Sequence, residues 1–277
     1  MNIEELKFLL NKYHLTPNKL RGQNFLIDDS VLEEIIDTAD LSPNDLVLEV
    51  GPGLGALTAY LVNKTKQVLA LELDKNFEQA LAKIAKVSPN LEIIWQDILS
   101  LQEKQWQGVL SKYGAIDYKI VANIPYYLTG KFIQKFMSFK PAPKSLTLMI
   151  QKEVAQRLVA SDQKQSLLSL AVAFYGEASL AVVVPKTCFY PVPQVDSAVI
   201  HINNIKAWSY PVDEKFTWQL IHRGFAQKRK KLINNILTDT RLDKDKVEQA
   251  FTKLNLDKNI RAENLSTQNW LDLVALL

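Results

Sequence analysis

Four consecutive residues, Asn123-Ile124-Pro125-Tyr126, combine hydrogen-bond acceptors, a rigid turn and an aromatic ring. The Asn123 side-chain oxygen and the Ile124 backbone carbonyl can accept the two hydrogens of an exocyclic amino group such as N6 of adenine. That pairing favours a more tetrahedral nitrogen with a localised lone pair, and so a better nucleophile. Pro125 fixes its own φ, and Tyr126 offers a flat face to a base extruded from its helix. The turn therefore predicts chemistry at the amino group of an unpaired adenine.

A second aromatic side chain stands in a stiff loop further along the chain. Phe189 opens a segment that contains Pro191 and Pro193 and leads into an apolar run. The side chain can form the other side of a clamp around the base, or it can be an ordinary core residue. Both interpretations stay open from the sequence.

Glycine and acidic residues at three other places are typical of a site for an adenosyl ligand. Gly51, Gly53 and Gly55 follow an apolar run, and such a loop lets a ligand approach the backbone closely. Glu72 can accept both ribose hydroxyl protons, and Asp97 can accept the amino group of an adenine. These groups would suit either NAD or S-adenosylmethionine. The Asn123–Tyr126 turn, however, has no role in the hydride transfer that NAD carries out. We therefore predict S-adenosylmethionine as the cofactor.

The elements that must position these residues alternate in type. Short apolar runs rich in Val, Ile and Leu predict strands at Leu46–Val50, Val68–Leu73, Leu91–Trp95, Lys119–Ala122 and Ser145–Ile150. Amphipathic runs predict helices at 28–40, 57–64, 76–86 and 128–138. Such alternation indicates an α/β fold with a mostly parallel sheet and helices on both faces. The glycine loop, Glu72, Asp97 and the Asn123–Tyr126 turn then lie at the ends of successive strands. Groups bound by these segments would therefore converge on one crevice.

The composition and the hydrophobic pattern of the sequence change near residue 210. Beyond it the sequence is charged, patterned for helices and poor in β-branched runs. We predict a catalytic domain at 1–210 that binds the cofactor and a small all-α domain at 211–277 that binds RNA or the ribosome.

Composition narrows the class of protein. The 277 residues carry a net charge of +3, and residues 211–277 hold the whole excess, with 12 Lys and Arg against 9 Asp and Glu. A single cysteine, Cys188, excludes an intrachain disulfide and a cysteine-based zinc cluster, and we expect no metal site. No apolar stretch reaches 18 residues and the N-terminus lacks the pattern of a signal peptide, so we expect a cytoplasmic protein.

The densest positive charge lies in a basic run that we predict to be helical. It comprises Arg223, Lys228, Arg229, Lys230 and Lys231. A helix would place Lys228 and Lys231 on one face and Arg223 and Lys230 on another. The run either contacts RNA phosphates or forms a solvated helix face.

Several motifs in order carry a resemblance to a known family. They are GQNFL from Gly22, EVGPGLGALT, LELD, QDIL, NIPY, QKEVAQRLVA, VPQVDSAV, FAQKRKKLINNIL and RAENLS from Arg261. In these motifs the chain resembles the KsgA family of small-subunit rRNA adenine dimethyltransferases, over nearly its whole length. The resemblance implies a class I methyltransferase (Rossmann-like) domain and a small helical domain. It also implies transfer of two methyl groups to N6 of each of two adjacent adenosines, in a hairpin near the 3′ end of 16S rRNA in an immature small subunit.

The resemblance also implies roles for individual residues. Asn24 and Leu26 would cover the cofactor, Gly51 and Gly53 would lie along it, Glu72 would take its ribose and Asp97 its adenine. Asn123 would serve both the cofactor and the target base, with Tyr126 and Phe189 stacking on that base. Arg261 joins the basic run as a predicted RNA contact. This chain departs from the family pattern at Gln165-Ser166 and at Gln194, where the family often has Tyr-Gly and Lys.

Three alternatives stay open. A large-subunit rRNA methylase that confers macrolide resistance would share the cofactor site and the Asn123–Tyr126 turn. An NAD-dependent oxidoreductase would need a third glycine at GxGxxG spacing, which is missing here. An RNA-binding assembly factor could keep the fold without the activity. We expect a monomer, because no extra apolar stripe stands out.

Overall fold

The computed structural model describes residues 1–18, 21–115, 117–159 and 164–277. In this part of the chain, seven strands form one sheet in the order β4-β3-β2-β5-β6-β9-β7. Their bounds are β2 Leu46–Val50, β3 Gln67–Glu72, β4 Leu91–Trp95, β5 Lys119–Asn123, β6 Ser145–Gln151, β7 Glu177–Val184 and β9 Ser197–Asn203. Two further short strands, β1 Phe25–Leu26 and β8 Phe189–Tyr190, pair antiparallel with each other.

The order of the strands creates the crevice that the sequence predicts. Strands β2 to β6 run parallel to one another, whereas β9 pairs antiparallel with both β6 and β7. After β2, the next two strands, β3 and β4, lie on one side of β2 in the sheet, and β5 and β6 lie on the other side of β2. Ligands of open α/β sheets bind at such a reversal, beside the carboxyl ends of the strands. The predicted α/β architecture is confirmed.

Helices alternate with the strands along the chain. They are α1 Ile3–Lys12, α2 Asp29–Thr38, α3 Ala56–Leu61, α4 Glu78–Val87, α5 Glu103–Lys112, α6 Thr129–Met137, α7 Lys152–Val159 and α8 Leu167–Tyr175. Each side chain of β2 is buried, and α2 and α3 contribute Ile35 and Leu61 to the core beside it. Burying such side chains stabilises the fold by about 1.5–3 kcal/mol each.

Helix α5 is absent from the sequence prediction, because its pattern EKQWQGVLSK is mostly polar. Only Trp106 and Leu110 of this helix are buried.

The chain divides into two compact units. The first comprises Met1–Val159 and Gly176–Ile205, and the second comprises Ala160–Tyr175 and Lys206–Leu277. Helix α8 therefore belongs to the second unit, with α9 Glu214–Gly224, α10 Leu232–Ile236, α11 Lys244–Lys253 and α12 Thr267–Leu276. These units do not coincide with 1–210 and 211–277, and the division by function stays a prediction.

The prediction that the basic run is helical is confirmed for Arg223, which lies on α9, and is wrong for Lys228, Arg229, Lys230 and Lys231. Helix α9 ends at Gly224, and residues 225–231 form turns before α10 begins. The Asn235 side-chain nitrogen donates to the carbonyl oxygens of Gly224 and Gln227, at 2.6 and 3.1 Å, and so satisfies carbonyls that a continuing helix would bond. A Cβ on Gly224 would lie 2.5 Å from the Trp270 ring, so the chain packs tightly at this point. The faces assigned to Lys228 and Lys231, and to Arg223 and Lys230, therefore do not exist.

Candidate active site

A cavity of about 220 Å³ opens at the carboxyl ends of the parallel strands. Segments that follow β2, β3, β4 and β5 line it, together with residues 21–26 and Phe189. All predicted catalytic and cofactor-binding residues lie on its wall: Asn24, Leu26, Gly51, Gly53, Glu72, Asp97, Asn123, Ile124, Tyr126 and Phe189. The structure thus brings together residues that are up to 165 positions apart in the sequence.

The glycine loop after β2 needs its glycines for different reasons. Gly51, Gly53 and Gly55 have φ values of 69°, 57° and 83°, in the region that disfavours other residues. A Cβ on Gly55 would lie 2.2 Å from Ile84, whereas a Cβ on Gly51 would meet nothing within 4 Å. The space beside Gly51 is therefore open, as a ligand lying against the backbone requires.

Glu72, at the end of β3, organises this loop. Its carboxylate accepts hydrogen bonds from the backbone nitrogens of Gly53, Leu73 and Asp74 at 2.8–3.0 Å. The side chain is 7% exposed, and burial raises its pKa despite these bonds. A carboxylate held in this way has fixed lone pairs to offer to a ligand.

Glu49 is a residue of this site that sequence reasoning did not single out. It lies on β2, is 1% exposed and lines the cavity. Among the described residues its Oε2 atom has no hydrogen-bond partner. Burial raises the pKa of Glu49 to about 8, and the charge of Glu72 acts in the same direction. The signal was available, because an acidic residue in an otherwise apolar buried strand is costly unless it has a partner.

Asp97 begins the 3-10 turn Ile98–Ser100 after β4, and its carboxylate accepts a hydrogen bond from the Leu99 backbone nitrogen at 2.8 Å. The Lys135 ammonium donates hydrogen bonds to the carbonyl oxygens of Leu99 and Leu101, and these bonds hold the turn in place. Burial lowers the pKa of Lys135. Asp97 itself stays exposed at the cavity wall.

The Asn123–Tyr126 turn leaves β5 at the switch in strand order. The Asn123 side-chain nitrogen points to the Asn24 carbonyl oxygen at 3.5 Å, the outer limit of a hydrogen bond. This contact uses the nitrogen of the Asn123 side-chain amide, so the side-chain oxygen is free to accept a hydrogen bond from another group. Ile124 follows the last paired residue of β5, so its carbonyl oxygen lies outside the strand ladder.

Tyr126 is held by a partner that the sequence did not reveal. Its hydroxyl lies 2.8 Å from the Ser197 hydroxyl, and Ser197 is fully buried at the start of β9. Burial raises the pKa of Tyr126. The antiparallel strand β9 therefore fixes the ring that the turn presents.

Phe189 belongs both to the cavity wall and to the core. It is 2% exposed, packs in the cluster that contains Ile35 and Leu61, and stands opposite Leu26 in the β1–β8 pair. Its predicted stacking role is compatible with this position but remains a prediction.

The predicted RNA contacts lie in the second unit. Lys228, Arg229, Lys230, Lys231 and Arg261 are exposed, whereas Arg223 makes an ion pair with the buried Asp239 at 2.9 Å. Their contact with RNA stays a prediction.

The described residues contain no helix long and apolar enough to cross a membrane.

Two solved structures share the fold of this chain. A dimethyladenosine transferase from Plasmodium falciparum is 24% identical, with a TM-score of 0.74 over 91% of this chain and 96% of that chain. The 23S rRNA methyltransferase ErmE is 23% identical, with a TM-score of 0.68 over 92% of this chain and 99% of that one. These two likenesses show that the chain shares the fold of both structures over about nine tenths of its length.

Sequence comparison gives the family. A family model described as ribosomal RNA adenine dimethylase matches residues 15–277. Ribosomal RNA small subunit methyltransferase A of Dehalococcoides mccartyi is 39% identical over 267 residues, which cover 96% of this chain and 90% of the relative. The chain therefore belongs to the ribosomal RNA adenine dimethylase family, and the predicted KsgA-type resemblance is confirmed. Methyltransferases of this family use S-adenosylmethionine, so the oxidoreductase alternative is wrong.

Proposed function

We propose that this protein transfers methyl groups from S-adenosylmethionine to N6 of two adjacent adenosines in a hairpin near the 3′ end of 16S rRNA. The product is N6,N6-dimethyladenosine, formed on an immature small ribosomal subunit. The observation that carries the proposal is that one cavity holds both the glycine loop with Glu72 and the Asn123–Tyr126 turn. Relatives named small-subunit methyltransferases at 39% identity favour this substrate over the large subunit. The same substrate implies action in the cytoplasm, and we infer a monomer.

The residues around the cavity fit S-adenosylmethionine. The open space beside Gly51 would be filled by a Cβ, and it suits a ligand lying along the loop. The unpartnered Oε2 of Glu49 is a buried acceptor that suits a cationic ligand. Glu72 would hold the ribose hydroxyls and Asp97 the adenine amino group, while Asn24 and Leu26 would cover the ligand. When bound, the cofactor supplies an electrophilic methyl group on a sulfonium.

The chain's own contribution to the chemistry is to orient the target nitrogen. The Asn123 side-chain oxygen and the Ile124 carbonyl accept the two N6 hydrogens, so the nitrogen lone pair points away from both. Fixed dipoles of this kind cost no reorganisation when charge develops on the nitrogen. The first transfer leaves a positive charge on the nitrogen, which then releases one of its two protons to solvent. One hydrogen remains, and either acceptor can hold it for the second transfer. Tyr126, fixed by Ser197, keeps the extruded base flat against the site.

The proposal is tested by incubating the protein and labelled S-adenosylmethionine with small subunits that lack the modification. Nuclease digestion and mass spectrometry should find N6,N6-dimethyladenosine at two adjacent positions of the 3′ hairpin. An Asn123→Ala variant is the matched control, because it should keep the fold and lose the product. Label in another part of the RNA, or on another atom of adenine, would contradict the proposal.

A further inference from the structure

Helix α9 has one face that the proposed reaction does not use. Its buried face carries Thr217, Leu220, Ile221 and Gly224. Side chains three and four positions apart on the opposite face line an open cleft of about 580 Å³, together with Ala226 and Arg241. These side chains, which we call the α9 stripe, are Lys215, Trp218, Gln219, His222 and Arg223. Of the described residues that line the cleft, none is acidic.

Trp218 is fixed in place although it is only partly buried. Its indole nitrogen donates to the Tyr175 hydroxyl at 2.9 Å, and that hydroxyl in turn donates to Glu214. Its ring lies parallel to Tyr175, with 6.4 Å between ring centroids and 3° between planes. His222 flanks the ring at 5.9 Å. An aromatic ring held by a hydrogen bond and by stacking loses little further freedom when a ligand stacks on it.

The positive charge of the cleft is also held in place. Arg223 and Arg241 both bond to the buried Asp239 through a guanidinium nitrogen at 2.9 Å, and Arg241 adds a second bond at 3.0 Å. One carboxylate thus gathers two guanidinium groups and offsets one of their two charges. The Arg241 side chain stays 68% exposed, and Lys215, in the first turn of α9, is exposed as well. The cleft therefore keeps a net positive charge with donors in fixed positions.

We propose that the α9 stripe binds an unpaired nucleotide of single-stranded RNA, with its base on Trp218 and its flanking phosphates on Arg241 and Lys215. The inference rests on the proposed function, because it takes the RNA of the substrate as the ligand. A partly exposed aromatic ring among cations is the pattern by which proteins bind single strands with little sequence preference. An acidic peptide would satisfy the cations but would leave the indole without a stacking partner.

The test measures binding of the full-length protein to a fluorescent ten-nucleotide single-stranded RNA by anisotropy, against salt. Trp218→Leu should weaken binding by about 5–150-fold, which corresponds to the loss of one stacked base. Arg241→Gln should reduce the slope of log affinity against log salt by about 0.7. Two variants serve as matched controls and should bind as the wild type does. They are Trp208→Phe, whose ring also packs against Tyr175 in an aromatic cluster with Trp218, and Lys253→Gln on α11.

Because Trp218→Leu can disturb the aromatic cluster, Arg241→Gln provides an independent readout at an exposed position. Wild-type affinity and slope in both variants would overturn the inference, and so would equal affinity of the wild type for polyglutamate of similar length. Methylation of small subunits is measured on the same preparations. Methylation without any effect of the stripe variants on RNA binding refutes this inference alone. Loss of RNA binding in the variants of a protein that methylates no subunit refutes the proposed function alone.

Discussion

Replacing Glu72 by Gln separates the backbone hydrogen bonds that this carboxylate accepts from its proposed contact with the ribose of the cofactor. One oxygen accepts from Leu73 and Asp74, and the other accepts from Gly53. A glutamine can keep the first pair through its single oxygen, but its amide nitrogen then faces the Gly53 N–H. We therefore expect a loosened glycine loop and one lost acceptor for the ribose.

Hydrogen bonds to a charged group contribute about 1.5–3 kcal/mol each, so one lost ribose bond should weaken S-adenosylmethionine binding about 10–150-fold. Glu72→Ala removes both acceptor oxygens and leaves three backbone donors without this partner. It should therefore lose more cofactor affinity than Glu72→Gln and should also lose thermal stability. Calorimetric titration with the cofactor, together with thermal unfolding, gives both quantities. The exposed Glu78→Gln on α4 is the matched control. If folded Glu72→Gln binds the cofactor as tightly as the wild type, the cofactor lies elsewhere and the assignment is refuted.

Four further predictions address the remaining parts of the site. Asn123→Ala should lower the single-turnover rate about 10²–10³-fold with a smaller loss of cofactor affinity, by analogy with the removal of one fixed dipole; an unchanged rate refutes its role. The free energy of unfolding should fall as pH rises from 4.5 to about 8, because folded Glu49 binds a proton that the unfolded chain releases. Glu49→Gln should flatten this pH dependence. An equally steep decline in the variant would mean that Glu49 is ionised in the folded protein. Phe189→Leu should destabilise the fold by about 1–2 kcal/mol and reduce activity more than cofactor binding; intact specific activity would leave Phe189 a core residue only. Alanines at both ends of the run Lys228–Lys231 should lower the salt dependence of subunit binding by about 0.7–0.9 per lost contact, whereas an unchanged slope marks a solvated surface.

The sheet and its crevice follow from the sequence because their signals are local. Strands β2 and β4 have the bounds that their apolar runs predict. Every residue of β2 is buried, and a strand buried on both faces admits few polar residues. Glu72 and Asn123 end their strands, and the glycines and Asp97 come just after theirs, so the parallel topology suffices to bring them together.

The remaining features depend on contacts between distant segments, which no local pattern contains. The bond between Tyr126 and Ser197 joins residues 71 positions apart, and the two-residue strands β1 and β8 exist only because they pair with each other. Residues 225–231 do not continue α9, because the Asn235 side chain, which lies beyond them, binds the carbonyls of Gly224 and Gln227. Intrinsic preference is a weak guide where such a tertiary bond is available.

The central claim, methylation of adenine N6 in small-subunit RNA, is tested most directly by offering two substrates in parallel. Unmodified immature small subunits and protein-free large-subunit RNA are incubated with the protein and labelled S-adenosylmethionine under the same conditions. The structure and the family predict label in the small subunit, up to four methyl groups on two adenosines, and none in the large-subunit RNA. Label in the large-subunit RNA, or in neither substrate, would contradict the account.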